Sequence, residues 1–164
     1  MKPSRTPPGP DQESVWDYPR PAIAQETAAW LRVEFEGRII AETRSAVRTL
    51  ETSHPPSYYF PRSDVDLEVL KQSTRDSFCE WKGNAEYFDL VLGDRMSANA
   101  CWSYPNPTLS FLAIKGYIAF YPARVDACFV NDEQVTAQPG GFYGGWITSL
   151  VVGPFKGAPG TQFW

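Results

Sequence analysis

The chain has 164 residues, the length of one domain, and a chain of this size buries about 70% of its unfolded surface without needing a metal or disulfide. Hydrophobic residues make up 43% and charged residues 21%, which excludes wholesale disorder, and no apolar run reaches the ~20 residues of a membrane helix. A net charge of −4 argues against a phosphate-tracking surface, so neither nucleic acid nor membrane is expected as a partner.

Six of the 15 prolines fall within the first 21 residues. Repeated proline removes backbone donors and disfavours helix, so residues 1–28 are predicted as an extended arm outside the core. Trp16 and Tyr18 give that arm aromatic area with which to dock. Residues 29–137 are predicted as a β domain. Leu31, Val33 and Phe35 alternate with Arg32, Glu34 and Glu36, a period of two, and Glu36-Gly37 turns the chain into a return strand over Arg38–Thr43. Ala46–Glu51 reads as a short strand, after which Pro55, Pro56 and Pro61 predict an irregular passage through Tyr58-Tyr59-Phe60. Ser63 precedes Asp64-Val65-Asp66-Leu67-Glu68-Val69-Leu70, where acids in a first turn predict the one short helix. Strands follow over Phe78–Lys82 and Ala85–Leu92, with Gly83-Asn84 as the hairpin turn, and then over Ala98–Tyr104, Gly116–Tyr121 and Val125–Val130. Residues 138–164 form a glycine- and aromatic-rich tail, expected to pack on the domain. The fold class expected is all-β, mainly antiparallel, with one short helix and extended N- and C-terminal arms.

The opening MKPSRTPPGP has no apolar stretch of a secretory signal. Three separated cysteines, Cys79, Cys101 and Cys128, then predict reduced, mostly buried thiols and a cytoplasmic setting. Gly140-Gly-Phe-Tyr-Gly-Gly has neither the Lys-Ser/Thr ending of a P-loop nor a following helix pattern. Asp64 and Asp66 have the spacing to share a divalent ion, but acids at a helix start serve its dipole equally well. His54 and the three cysteines include no Cys-x-x-Cys pair, so no metal and no cofactor are expected.

The single histidine is placed more suggestively. His54 is followed by two prolines that hold its backbone stiff, as a catalytic or binding imidazole needs; a structural histidine bonded to a carbonyl is the competing reading. Period two puts Cys79 and Trp81 on one strand face and Lys82 on the other, while Trp102 shares a face with Tyr104 on a later strand. Such side chains meet across hairpins, either as an aromatic pocket carrying one cation and one thiol or as an aromatic core.

Several longer motifs occur in a specific order: Leu50-Glu-Thr-Ser-His-Pro-Pro-Ser-Tyr-Tyr-Phe-Pro-Arg-Ser-Asp-Val, Phe78-Cys-Glu-Trp-Lys-Gly-Asn-Ala-Glu-Tyr, Trp102-Ser-Tyr-Pro, and Lys115-Gly-Tyr-Ile-Ala-Phe-Tyr-Pro with Val125-Asp-Ala-Cys. With these the chain resembles, from about Ser14 to its C-terminus, the family known as domain of unknown function 427. The resemblance implies a small β-rich domain of the β-tent type, akin to zinc-binding relatives whose paired-cysteine knuckles are missing here. The family is sometimes labelled nucleotidyltransferase-like, but this sequence lacks the glycine-rich phosphate turn such an activity needs.

The function expected is therefore binding of, or action on, a small polar or anionic molecule in an aromatic-lined pocket near His54. In that reading His54 is an acid or base and Lys82 its charge partner, while Tyr59, Trp81, Tyr87, Trp102 and Tyr104 form the walls. His54 is expected at a cleft edge with Lys82 or Tyr87 nearby. The alternative is a non-catalytic interaction module or homodimer whose arms are the contact surfaces.

Overall fold

The computed structural model of the chain describes residues 3–164. Its strands are β1 (Glu13–Ser14), β2 (Ile23–Thr27), β3 (Leu31–Phe35), β4 (Arg38–Thr43), β5 (Ala46–Leu50), β6 (Ser57–Phe60), β7 (Leu70–Cys79), β8 (Gly83–Leu92), β9 (Arg95–Ser103), β10 (Ile118–Phe120), β11 (Ala127–Val130), β12 (Glu133–Gln134), β13 (Thr136–Ala137), β14 (Trp146–Ile147) and β15 (Val151–Val152). Other regular structure among the described residues is limited to short 3-10 segments, so the fold is all-β. None of its helices is long and apolar enough to cross a membrane.

Seven strands form one antiparallel sheet in the order β2-β5-β6-β10-β9-β8-β7, and four form a second in the order β12-β11-β3-β4. Tight turns set the registers. Glu36 and Gly37 (φ 50° and 72°) join β3 to β4, and Asn131 and Asp132 (φ 47° and 69°) join β11 to β12. Two left-handed residues in sequence match the twist of a two-residue hairpin.

The two sheets enclose the main core. β3 turns Leu31, Val33 and Phe35 inward, all with no exposed surface, against Phe60, Leu90, Ile118, Phe120 and Trp146. Burying side chains of this size stabilises by roughly 1.5–3 kcal/mol each. The seven-stranded sheet is apolar on its other face too. There Tyr59, Tyr87, Trp102, Ala119 and Tyr121 form a second cluster with Tyr104, Phe111 and Ile114. Along β6 the alternation is plain: Tyr58 and Phe60 enter the first core, Tyr59 the second.

Four local expectations are corrected. The passage through Tyr58-Tyr59-Phe60 is not irregular but the interior strand β6, paired with both β5 and β10. Pro55, Pro56 and Pro61 stand just outside Ser57–Phe60, where no ladder donor is lost. The short helix is instead two 3-10 turns, Arg62–Asp64 and Leu67–Val69, running into β7. Its acids are engaged from β4: Thr43 Oγ1 donates to Asp64 (2.6 Å) and Arg38 to Asp66 (2.9 Å). The β7–β8 hairpin turns at Glu80–Lys82, closing a Cys79–Gly83 pair, so Gly83 and Asn84 belong to β8. Thr108 pins this loop, donating its N–H to the Lys82 carbonyl (3.0 Å) and its hydroxyl to that of Trp81 (2.6 Å).

The fourth correction concerns the arm. Ile23–Thr27 is an edge strand paired along its whole length with β5. Val15, Trp16 and Tyr18 are buried with Leu50 and Val151 in a third cluster. Trp16 Nε1 donates to the Pro154 carbonyl (2.9 Å), and Arg48 grips both oxygens of Glu13 (2.8 and 3.0 Å). Proline limited helix in this stretch to the 3-10 turn Val15–Asp17 but left the residues between Pro10 and Pro19, and after Pro21, free to pair and bury. The tail packs as well: Trp146 is fully buried with Nε1 donating to the Phe120 carbonyl (3.0 Å), and β15 runs parallel to β1. All three cysteines are free, with Cys101 and Cys128 buried and Cys79 half-buried.

Candidate functional site

Over the second aromatic face of the large sheet lies a cavity of about 530 Å³. Its lining includes His54, Tyr59, Trp81, Lys82, Tyr87, Trp102 and Tyr104, so the seven residues singled out in the sequence meet in one concavity. They arrive from different elements: Tyr59 from β6, Tyr87 from β8, Trp102 from β9, and Trp81 with Lys82 from the pinned β7–β8 loop. Glu51, Tyr121, Gln138 and Tyr143 complete the walls and were not singled out in the sequence. Their partnerships span up to 89 residues of chain with no local pattern; only the spacing of Glu51 and His54, three apart, carried a local signal.

The aromatic walls are tied together. Trp102 Nε1 donates to the Tyr59 hydroxyl (3.0 Å), the Trp102 and Tyr121 rings lie 4.6 Å apart, and Tyr87 shares a 2.9 Å hydrogen bond with Ser77. The Tyr104 hydroxyl has no hydrogen-bond partner among the described residues although Tyr104 is only 7% exposed. Burial raises the pKa of the Tyr59 and Tyr104 hydroxyls, so both remain protonated at neutral pH.

Cations back this wall. Arg124 stacks on Tyr121 (4.0 Å to the ring centre), Arg75 on Tyr87 (4.7 Å) and Lys156 on Tyr143 (5.8 Å), and none of the three lines the cavity. A ring already holding a cation on one side is a poorer seat for a second cation on the other. Lys82 does line the cavity, with Nζ 3.8 Å from Cys79 Sγ and 5.7 Å from the Phe111 ring centre. None of the ion pairs among the described residues involves it.

His54 ends a turn in which its N–H donates to the Glu51 carbonyl (3.0 Å), which brings the two side chains together. The preceding Ser53 has φ 73°, and both its backbone groups are held, by the Val15 carbonyl and the Lys156 amide. The two ends of the chain thus fix the turn. The His54 ring is 12% exposed and meets Tyr143 edge-on at 4.6 Å. Burial first, then the positive charges of Lys156, Lys82 and Arg20, lower its pKa to about 3, so the ring is neutral at pH 7.

The surrounding network fixes which nitrogen carries the proton. Gln138 Oε1 accepts from the Gly145 amide (3.1 Å) and its Nε2 donates to the Lys156 carbonyl (2.8 Å), which sets the orientation of the amide. Its second N–H then donates to His54 Nδ1 (3.0 Å). The ring proton therefore sits on Nε2, 3.5 Å from a Glu51 carboxylate oxygen. The acceptor nitrogen of the ring is thus occupied by the Gln138 amide.

Residues 22–131 match the family described as Domain of unknown function (DUF427), a span that includes His54 and Lys82 but not Gln138 or Tyr143. No curated protein matches the chain. With two-thirds of its length covered by that match, the chain belongs to the DUF427 family.

Proposed function

We propose that the chain binds a small planar anion, such as an aromatic carboxylate, in the cavity beside His54. The observation that carries the reading is Lys82, an ammonium without an ion-pair partner at the edge of an aromatic-lined concavity. A half-buried cation without an anion is costly, and a ligand carboxylate or phosphate relieves that cost. Charge-assisted hydrogen bonds are about twice as strong as neutral ones. The Tyr59, Trp102 and Tyr104 rings supply flat apolar area for the ligand body, and the Tyr104 hydroxyl offers a free polar contact.

The test is a thermal-shift series of aromatic carboxylates against their uncharged amides. At 100 times its dissociation constant a ligand stabilises by about 2.7 kcal/mol. The acids are expected to shift the unfolding transition more than the amides, and Lys82→Ala is expected to abolish the difference. Equal shifts from acid and amide would refute the role given to Lys82.

A second reading, an interaction or homodimer module, draws on apolar side chains exposed near this face. Phe78 and Phe142 line the cavity yet are 73% and 62% exposed, and Leu109 is 85% exposed. Light scattering across a concentration series distinguishes it: a dimer that dissociates on Phe78→Ser and Phe142→Ser substitution favours the module.

A further inference from the structure

The arrangement around Glu51 extends the proposed function and rests on it. Glu51 lines the cavity, its side chain is 24% exposed, and it accepts no hydrogen bond shorter than the 3.5 Å approach of His54 Nε2 among the described residues. Among the described residues no lysine or arginine forms an ion pair with it. Two nearby cations are occupied elsewhere: Arg20 and Lys156 both donate to the Trp164 carbonyl (3.3 and 3.5 Å). The cavity's other carboxylate, Glu80, is exposed. An ionised carboxylate has about four lone-pair sites, and Glu51 leaves nearly all of them open toward an aromatic cavity.

The two charged residues that line the cavity enter it from different strands of the large sheet. Glu51 directly follows β5 and Lys82 directly precedes β8, with β6, β10 and β9 between them. Between those strands Tyr59 and Trp102 line the cavity, their rings meeting edge-on at 6.0 Å. A planar ligand whose acid group meets Lys82 shares the cavity with the Glu51 carboxylate. What the carboxylate needs there is a hydrogen-bond donor.

We propose that Glu51 accepts an N–H or O–H from the ligand, and that His54, clamped by Gln138, is the positioning residue that holds the Glu51 carboxylate for it. The ligand class is then a planar aromatic acid with a hydrogen-bond donor at the end away from its acid group. Gln138 holds the imidazole through Nδ1 (3.0 Å), and Nε2 lies 3.5 Å from the Glu51 carboxylate. This is the arrangement by which a second-layer group orients a carboxylate without touching the ligand itself.

The probes are indole-3-propionate and its 1-methyl derivative, which differ in the ring N–H donor. Calorimetric titration of the intact chain is expected to give about tenfold tighter binding of the N–H probe, the effect of one hydrogen bond to a charged group. Glu51→Ala should bring that preference to about one. Glu51→Gln, nearly isosteric, should reduce it to a few-fold and serves if the alanine variant does not fold. His54→Ala should cut the preference several-fold while leaving the affinity for the methylated probe within about twofold, and His54→Asn, which retains an N–H, should restore part of it. A merely structural role for His54 would weaken both probes alike. Equal binding of the two probes to the unsubstituted chain, or a preference that survives both Glu51 substitutions, overturns the inference and leaves the cavity reading intact. Failure of both probes to bind overturns the cavity reading and the inference with it.

Discussion

His54 makes stability depend on pH in a window where few other groups titrate. Its pKa lies near 3 in the folded chain, against 6.5 for a free imidazole. Between those values the unfolded chain binds a proton that the folded chain refuses, so stability rises with pH across the window and is lost as pH falls from about 6.5 toward 3. At pH 5 about 30 unfolded chains carry the proton for each that does not, while about one folded chain in 100 does. The resulting loss between pH 7.5 and 5 is about 2 kcal/mol. Lower pH is avoided in the assay because Glu13 and Asp126, whose carboxyls Arg48 and Arg95 hold below their ordinary range, then add losses of the same sign. Urea denaturation at the two pH values should show the loss in the wild-type chain and not in His54→Gln. The chain has one histidine, so its ring resonances are assigned on sight; they should not titrate above pH 4.5 and should report the Nε2–H tautomer. A ring that titrates near pH 6, or an equal pH slope in His54→Gln, would refute the reasoning.

Removing residues 1–27 strips Val15, Trp16 and Tyr18 from Leu50 and unpairs β5; at roughly 1.5–3 kcal/mol per large buried side chain the truncated chain should lose cooperative unfolding, and a sharp transition near the full-length midpoint would contradict the core role of the arm. Cys79 should react first with a thiol reagent under native conditions and be protected by a cavity ligand, because Cys101 and Cys128 are buried and burial raises their pKa; simultaneous labelling of all three by mass spectrometry would count against it. At Gly144 a methyl group would overlap the Trp102 indole, whereas at Gly141 it meets nothing within 4 Å. Gly144→Ala should therefore cost about 1–3 kcal/mol in denaturant titration and weaken aromatic probes, with Gly141→Ala as the near-neutral control.

What was legible in the sequence was whatever local pattern determines. Alternation in Leu31–Phe35 and the Glu36-Gly37 turn located β3 and β4 because one face of that sheet is solvated. The same rule missed β6, where Tyr58, Tyr59 and Phe60 are all buried because both faces of the large sheet are covered, so no polar residue marks the period. The helix expected after Ser63 failed because Asp64 and Asp66 bond side chains of β4, a contact more than 20 residues back in the chain. Trp102 and Tyr104 were placed on one face by strand parity, whereas Tyr59 followed only from aromatic density, its segment being expected irregular. The surroundings of His54 were not legible, since they include Gln138, 84 residues away, and Lys156, in a tail whose glycines obscure any periodicity.

The cavity lining runs from Ala22 to Gly144, and the turn that carries His54 is closed by residues 15 and 156. A fragment that keeps the whole lining and its supports must span residues 15–156, so binding of a ligand in the proposed site is coupled to folding of nearly the whole chain. A ligand of the cavity would slow solvent exchange not only of the loops it touches but also of the amide hydrogens of β3 and β11 on the far sheet, by the factor by which the ligand shifts global unfolding.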